Sequence, residues 1–260
     1  MKALKGASMV ALIVALFFTP YWTVAQCYQI GCRSFAQSAG GSNTWTLDPA
    51  VTPCNEGNPG GTTVSCNLTS VTAGDFITAQ AVDGHCLFLN VTDNVNGGNY
   101  SVVYSNQSDA NDPNCTSQLY FKNSASGNLT ITATFSGGTG SQQAISAQAW
   151  KDSGGGTAPS LDSTFSSSGS PFFQVNAGSS TVNCGTAKTP SANNELVIAF
   201  VEGDVASYSN GTGYTPLTIN TTNNPGALQY QIQTTATSTN GPFNVTAPDD
   251  WGAGCAAFKP

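Results

Sequence analysis

Glu202 and Asp204 stand two residues apart at the end of an apolar run, and paired carboxylates are what cleavage of a glycosidic bond requires. Glu195 and the pair Asp249–Asp250 are the other acids such a site would draw on. A third acid that would complete an E-x-D-x-x-E set is missing, because Ser207 occupies its position. His85, the single histidine, sits beside Cys86, and no G-x-S-x-G elbow accompanies it. The loops Asp93–Asn96 and Asp109–Asn114 are rich in the oxygens that calcium prefers. Neither fits an EF-hand loop, and Asn and Asp serve turns equally well. These residues predict no catalytic group, no resident metal and no cofactor; hydrolysis of a glycoside and a calcium loop remain as the weaker alternatives.

Modification chemistry is better represented. Sequons for N-linked glycans occur at Asn67, Asn90, Asn99, Asn106, Asn114, Asn128, Asn210, Asn220 and Asn244. Asn67, Asn128 and Asn244 fall on the polar parity of strand-like segments, opposite Leu68, Leu129 and Val245. A glycan coat would also explain how a chain with only 8% charged residues stays hydrated, against roughly 25% in ordinary soluble proteins.

The first 25 residues have the layout of an export signal. Lys2 and Lys5 precede the apolar run Met9–Phe18, and Thr23-Val24-Ala25 offers a small-residue cleavage site that leaves Gln26 first. A prepilin cut after Gly6 is the rival, but Pro20 ends the apolar run too early to span a bilayer. No stable membrane span is therefore expected after cleavage, and the destination is the cell exterior or surface. Eight cysteines follow: Cys27, Cys32, Cys54, Cys66, Cys86, Cys115, Cys184 and Cys255. An even number in an exported chain reads as disulfides, and no C-x-x-C offers a metal site. Pairing of neighbours gives Cys27–Cys32, Cys54–Cys66 and Cys86–Cys115, with Cys184–Cys255 closing a long loop. The net charge of −7 leaves no basic cluster for phosphates, which excludes nucleic acid as a partner.

The elements that position these residues read as strands. From Asn128 to Phe135 alternation is strict, with Leu129, Ile131, Ala133 and Phe135 on one face and Thr130, Thr132 and Thr134 on the other. Val64, Cys66 and Leu68 alternate in the same way. The run Leu196–Val201 is continuously apolar, as expected of a strand covered on both faces. Glycine- and asparagine-rich turns separate the segments, and no stretch shows helical periodicity. The prediction is an all-β, two-sheet antiparallel sandwich of jelly-roll type over residues 63–260, preceded by an extended segment, 26–62. The glycine/serine stretch after Trp150 reads as a surface excursion. Gln229, Gln231 and Gln233 read as a solvated strand face.

The order TDNVNGGNY (Thr92–Tyr100), LYFKN, GNLTITATFSG, ANNELVIAF (Ala192–Phe200) and WGAGCAAFK (Trp251–Lys259) resembles a β-sandwich domain recurrent in secreted and surface proteins of environmental prokaryotes. The resemblance covers roughly Val64–Pro260, rests on core and turn residues, and implies fold and location rather than an activity. The expected role is a glycosylated structural subunit of a surface filament, self-associating into a homopolymer as residues 26–47 dock in a neighbour by strand addition. The alternative is a secreted adhesive or polysaccharide-binding module that uses Trp45, Trp150, Tyr214 or Trp251 as an exposed platform.

Overall fold

Two kinds of burial separate the strands before any topology is traced. Thr63–Val71, up to Leu68, and Gly127–Phe135 are buried at every second residue, whereas Phe76–Asp83 and Glu195–Gly203 are buried throughout. The first pattern belongs to a sheet with one wet face, the second to a sheet covered on both. The computed structural model describes residues 44–58, 61–83, 88–103, 116–136, 143–154, 158–166, 173–177, 180–203, 207–220, 226–246 and 250–260. Among the described residues every regular element is a strand, and all pairings are antiparallel.

The strands form two successive sets. The first comprises β1 (Trp45–Leu47), β2 (Cys54–Asn58), β3 (Thr63–Val71), β4 (Phe76–Asp83), β5 (Phe88–Asp93), β6 (Ser101–Val102), β7 (Thr116–Asn123), β8 (Gly127–Phe135) and β9 (Gln143–Asp152). The second comprises β10 (Ser160–Leu161), β11 (Phe173–Ala177), β12 (Thr181–Val182), β13 (Glu195–Gly203), β14 (Ser207–Asn210), β15 (Thr215–Asn220), β16 (Gly226–Gln233), β17 (Phe243–Thr246) and β18 (Asp250–Lys259). In the first set, β1-β9-β4-β7-β6 make one sheet, with β2 also on β9, and β3-β8-β5 make another. In the second, β10-β18-β13-β16-β15 make one sheet, with β11 also on β18, and β12-β17-β14 make another. The second pattern is the first with each strand number raised by nine. The chain therefore contains the expected sandwich twice, as two repeats of identical topology.

Backbone detail repeats too. Asp48 donates its N–H to Ala149 O at 2.9 Å, and Asp162 donates to Ala257 O at 2.8 Å. Gly74 donates to Ser124 O and Asn194 to Gln233 O, both from a left-handed backbone with φ of 94° and 62°. Glycine and asparagine are the residues that tolerate that conformation best.

In each repeat the larger sheet is the inner one. Ile77, Ala79, Ala81, Ile145, Ala147 and Ala149 pack against the outer sheet β3-β8-β5. The alternate side chains, including Phe76 and Trp150, join a second core with the inner sheet of the other repeat. Across that junction Trp150 meets Tyr230 at 4.9 Å, while Phe258 meets Phe121 at 5.3 Å. Trp150 and Phe258 hold counterpart positions on the last strands, and Phe121 and Tyr230 hold counterpart positions on β7 and β16. The two repeats thus meet through the same face, as the subunits of a twofold dimer do.

Several expectations are corrected here. Trp45 and Cys54 belong to strands paired with β9 of their own sheet, so the described part of the N-terminal segment docks within its own chain; Gln26–Asn43, with Cys27 and Cys32, lies outside the described residues. The glycine/serine stretch after Trp150 lies between the repeats, and its Ser160–Leu161 forms β10. Trp45, Trp150, Tyr214 and Trp251 are buried and form no exposed platform. Gln229 and Gln233 are buried rather than solvated. Gln229 accepts the N–H of Gly211 and donates to Pro242 O, which joins β16 to the outer layer of its repeat.

Two disulfides are present among the described residues, Cys54–Cys66 and Cys184–Cys255. Each joins the inner sheet of one repeat to its outer layer. Gly241 lies so close to the second that a Cβ there would sit 2.3 Å from Cys255 Sγ and 2.6 Å from Ala199 Cβ. Its φ of 56° and this contact together require glycine.

Candidate functional site: two carboxylates and a lysine in each repeat

At one end of each inner sheet, three counterpart residues converge. In the first repeat they are Asp48, just after β1, Asp75, just before β4, and Lys151 on β9. In the second they are Asp162, just after β10, Glu195, opening β13, and Lys259 on β18. Asp48 Oδ1 accepts the Ala50 N–H at 2.9 Å and faces Lys151 Nζ at 3.0 Å. Asp162 Oδ1 accepts the Thr164 N–H at 3.0 Å, its Oδ2 accepts the Ser191 N–H at 2.8 Å, and Lys259 Nζ lies 3.7 Å from Oδ1. Both aspartate side chains are 0% exposed, while the lysine side chains remain 43% and 40% exposed.

The second acid is held by the turn that precedes its strand. Asp75 accepts the N–H and the hydroxyl of Thr72, and Glu195 accepts the Ala192 N–H at 2.8 Å and the Ser191 hydroxyl at 3.3 Å. In each repeat the two carboxyls lie near enough to act on each other electrostatically. The buried atoms Asp48 Oδ2 and Glu195 Oε2 receive no hydrogen bond, and a proton shared within each pair would satisfy them.

Electrostatics separate the two acids. Burial pushes both up. For Asp48 the Ala50 N–H, Lys151 and the bond from Asp75 outweigh burial, and its carboxyl ionises below the usual range. For Asp162 the N–H groups of Ser191 and Thr164 do the same. Asp75 is raised by burial and by the charge of Asp48. Glu195 is raised by burial, then by the charge of Asp162, to about 7. Each repeat thus pairs an aspartate whose ionised form is favoured, beside a lysine, with an acid that releases its proton less readily than usual.

The sign of the resulting pH dependence follows. An unfolded chain ionises Glu195 near 4.5, while the folded chain retains the proton up to about 7. The stabilisation is complete below the lower value and is lost as pH rises through the upper one. Thermal melts should show stability falling by on the order of 2 kcal/mol between about pH 5 and about pH 8. Glu195→Gln should flatten that slope, and an unchanged slope in the variant would place the titration elsewhere.

A cleft of about 770 Å³ opens beside the first cluster, lined by Thr46, Thr72, Asp75, Asn123 and Lys151 among others. A glycosidase needs its two carboxyls separated by roughly 5 Å or more, with the sugar between them. Here the first acid of each pair is instead engaged by backbone N–H groups and a lysine of its own repeat. Glu202 is fully buried on the inner sheet, and Asp204, Asp249, His85, Cys86 and Cys115 lie outside the described residues. Among the described residues no group of three or more potential ligands has the geometry for a metal ion. Asp93 instead accepts the N–H groups of Val95 and Asn96 and the Asn96 side-chain amide, so its oxygens serve the turn. Asp109–Asn114 lies outside the described residues.

Of the sequons, Asn67, Asn99, Asn128, Asn210 and Asn244 are exposed and Asn90 is half-buried. Asn106, Asn114 and the Asn220 side chain lie outside the described residues. Asn67 and Asn128 share the wet face of one outer sheet with Ser65, Thr130 and Thr132, and Asn244 lies on the other outer sheet beside Ser209.

Sequence reasoning weighed Glu195 only as a hydrolase acid and passed over Asp48, Asp75, Asp162, Lys151 and Lys259. A signal was present: Leu47-Asp48 recurs as Leu161-Asp162, and Ala-Trp-Lys at 149–151 recurs as Ala-Phe-Lys at 257–259. No protein-family model, no curated protein and no solved structure matches this chain.

Proposed function

We propose that this chain is an exported structural protein of the cell exterior, a glycosylated subunit of a surface filament. One observation carries the reading: the chemistry-bearing side chains of the described residues are spent on holding the chain itself together. Two disulfides, the lysine–carboxylate clusters and the aromatic junction between repeats all tie strand to strand. Disulfides suit an oxidising compartment, as the export signal requires. The outer sheets present serine, threonine and asparagine with sequons, a surface suited to glycans rather than to catalysis.

Because β1 and β2 serve their own sheet, the segment that joins one subunit to the next is confined to Gln26–Asn43, where it acts by strand addition. The secreted-domain resemblance supports the same location. Electron microscopy of native secreted material, with the mature N-terminus read by mass spectrometry, tests the proposal. Regular filaments whose subunits begin at Gln26 are expected. Dispersed particles without polymer would overturn it, and filaments beginning at Ala7 would assign assembly to a retained apolar helix instead.

A further inference from the structure

We propose that each repeat closes a covalent amide between its lysine and its buried aspartate, Lys151 to Asp48 and Lys259 to Asp162, with Asp75 and Glu195 as the proton-shuttling acids. This goes beyond the filament reading and does not depend on it. The first support is proximity: the amines lie 3.0 and 3.7 Å from the aspartate oxygens. Groups held at such distances gain the advantage of an intramolecular reaction, which makes condensation of an otherwise inert pair accessible. Recurrence is the second support. The same three functions come from the same three places in both repeats, although the surrounding strand sequences differ.

The third support is the placement of the second acid. Asp75, just before β4, and Glu195, opening β13, interact electrostatically with the aspartate carboxyl itself, where negative charge develops when an amine adds to carbon. The buried atoms Asp48 Oδ2 and Glu195 Oε2 receive no hydrogen bond and so leave an acceptor free for a shuttled proton. Backbone N–H groups of Ala50 and Thr164 hold the same aspartate oxygen, Oδ1, that faces each lysine.

The step balances without an oxidant or cofactor. A proton passes from the lysine ammonium to the aspartate, giving a neutral amine and a neutral acid in a site where the aspartate side chain is fully desolvated. The amine nitrogen attacks the carboxyl carbon, and the second acid donates a hydrogen bond to the oxygen that becomes negative. The C–N bond forms, the C–O bond breaks, and the oxygen leaves as water with the proton relayed by Asp75 or Glu195. One ammonium and one carboxylate become one amide and one water. In the first repeat the cleft beside Asp75 and Lys151 gives that water an exit.

The product would join the strand that opens each repeat to the strand that closes it. The measurement is peptide mapping by tandem mass spectrometry on the full chain, purified, reduced and deglycosylated after storage at neutral pH. A peptide containing Lys151 joined to one containing Asp48, lighter than their sum by one water, is expected, with the corresponding Lys259–Asp162 species. Lys151→Arg and Lys259→Arg preserve the ion pairs and should abolish the linked species while the chain stays folded. Asp75→Asn and Glu195→Gln should slow their formation many-fold. Linear, unmodified peptides at both lysines of the unsubstituted chain would overturn the proposal; a link in one repeat alone would uphold it there and overturn it in the other.

Discussion

Phe258→Ala is expected to lower the unfolding free energy by about 4 kcal/mol, the range for emptying a fully buried aromatic site. Phe258 is 0% exposed, and its ring meets Phe76 at 5.0 Å and Phe121 at 5.3 Å, both edge-on. Edge-on aromatic pairs add about 1 kcal/mol each beyond area burial. The location adds a second signature. Phe258 belongs to the second repeat, while Phe76 and Phe121 belong to the first, so the cavity opens in the junction between them. The first repeat has a further core on its other face, built from Ile77, Ile131, Ile145 and their neighbours, which the substitution does not touch. Calorimetry is therefore expected to show one transition for the parent chain and two for the variant, with the first repeat surviving the second. A loss under about 1 kcal/mol, or a uniform shift of one transition, would mean that the junction contributes little.

The parts of this fold that were legible in the sequence are those that a strand's period encodes. Alternation in Asn128–Phe135 identified an outer sheet, and the unbroken run Leu196–Val201 identified an inner strand covered on both faces. The same rule explains the misreadings. Gln229 and Gln233 look solvated beside Leu228 and Ile232, but a strand with layers on both sides buries its polar parity as well, provided the amides find partners. Trp150 and Trp251, read as part of an exposed platform, are buried by the inner strands that carry them.

The duplication was harder to see because so little of it resides in residue identity. Asp75 and Glu195 differ by one methylene, and Trp150 and Phe258 share only aromatic character. Gly74 and Asn194 share only a tolerance for left-handed backbone. What repeats is the set of positions where geometry is demanding, namely the buried acid pair, the lysine beside it and the aromatic at the junction. Packing constrains the remaining strand positions only to be apolar or small, and these have diverged.

Opening the Cys184–Cys255 disulfide is expected to cost about 4 kcal/mol, and more than opening Cys54–Cys66 at about 3 kcal/mol, because the cost of leaving an unfolded loop unclosed grows with its length. The sequence separations are 71 and 12 residues. Position increases the contrast. Cys184 and Cys255 are both buried, and the disulfide packs on Gly241 and close to Ala199, so paired alanines also leave a void between β18 and the outer layer. In the first repeat the link leaves Cys54 partly buried beside β9, and the apolar face of β3 and β8 still holds the outer sheet through Val64, Leu68, Leu129 and Ile131. The outer sheet of the second repeat has shorter strands and offers Val182, Tyr208, Phe243 and Val245 for the same purpose. Urea unfolding of Cys184→Ala/Cys255→Ala and of Cys54→Ala/Cys66→Ala, each against the parent, measures both terms. Equal losses, or a larger loss from the short loop, would mean that loop closure is not what the second disulfide contributes. A larger loss from the long loop, with the first repeat's transition left in place, would establish that the second outer sheet depends on its covalent link while the first is held by its core.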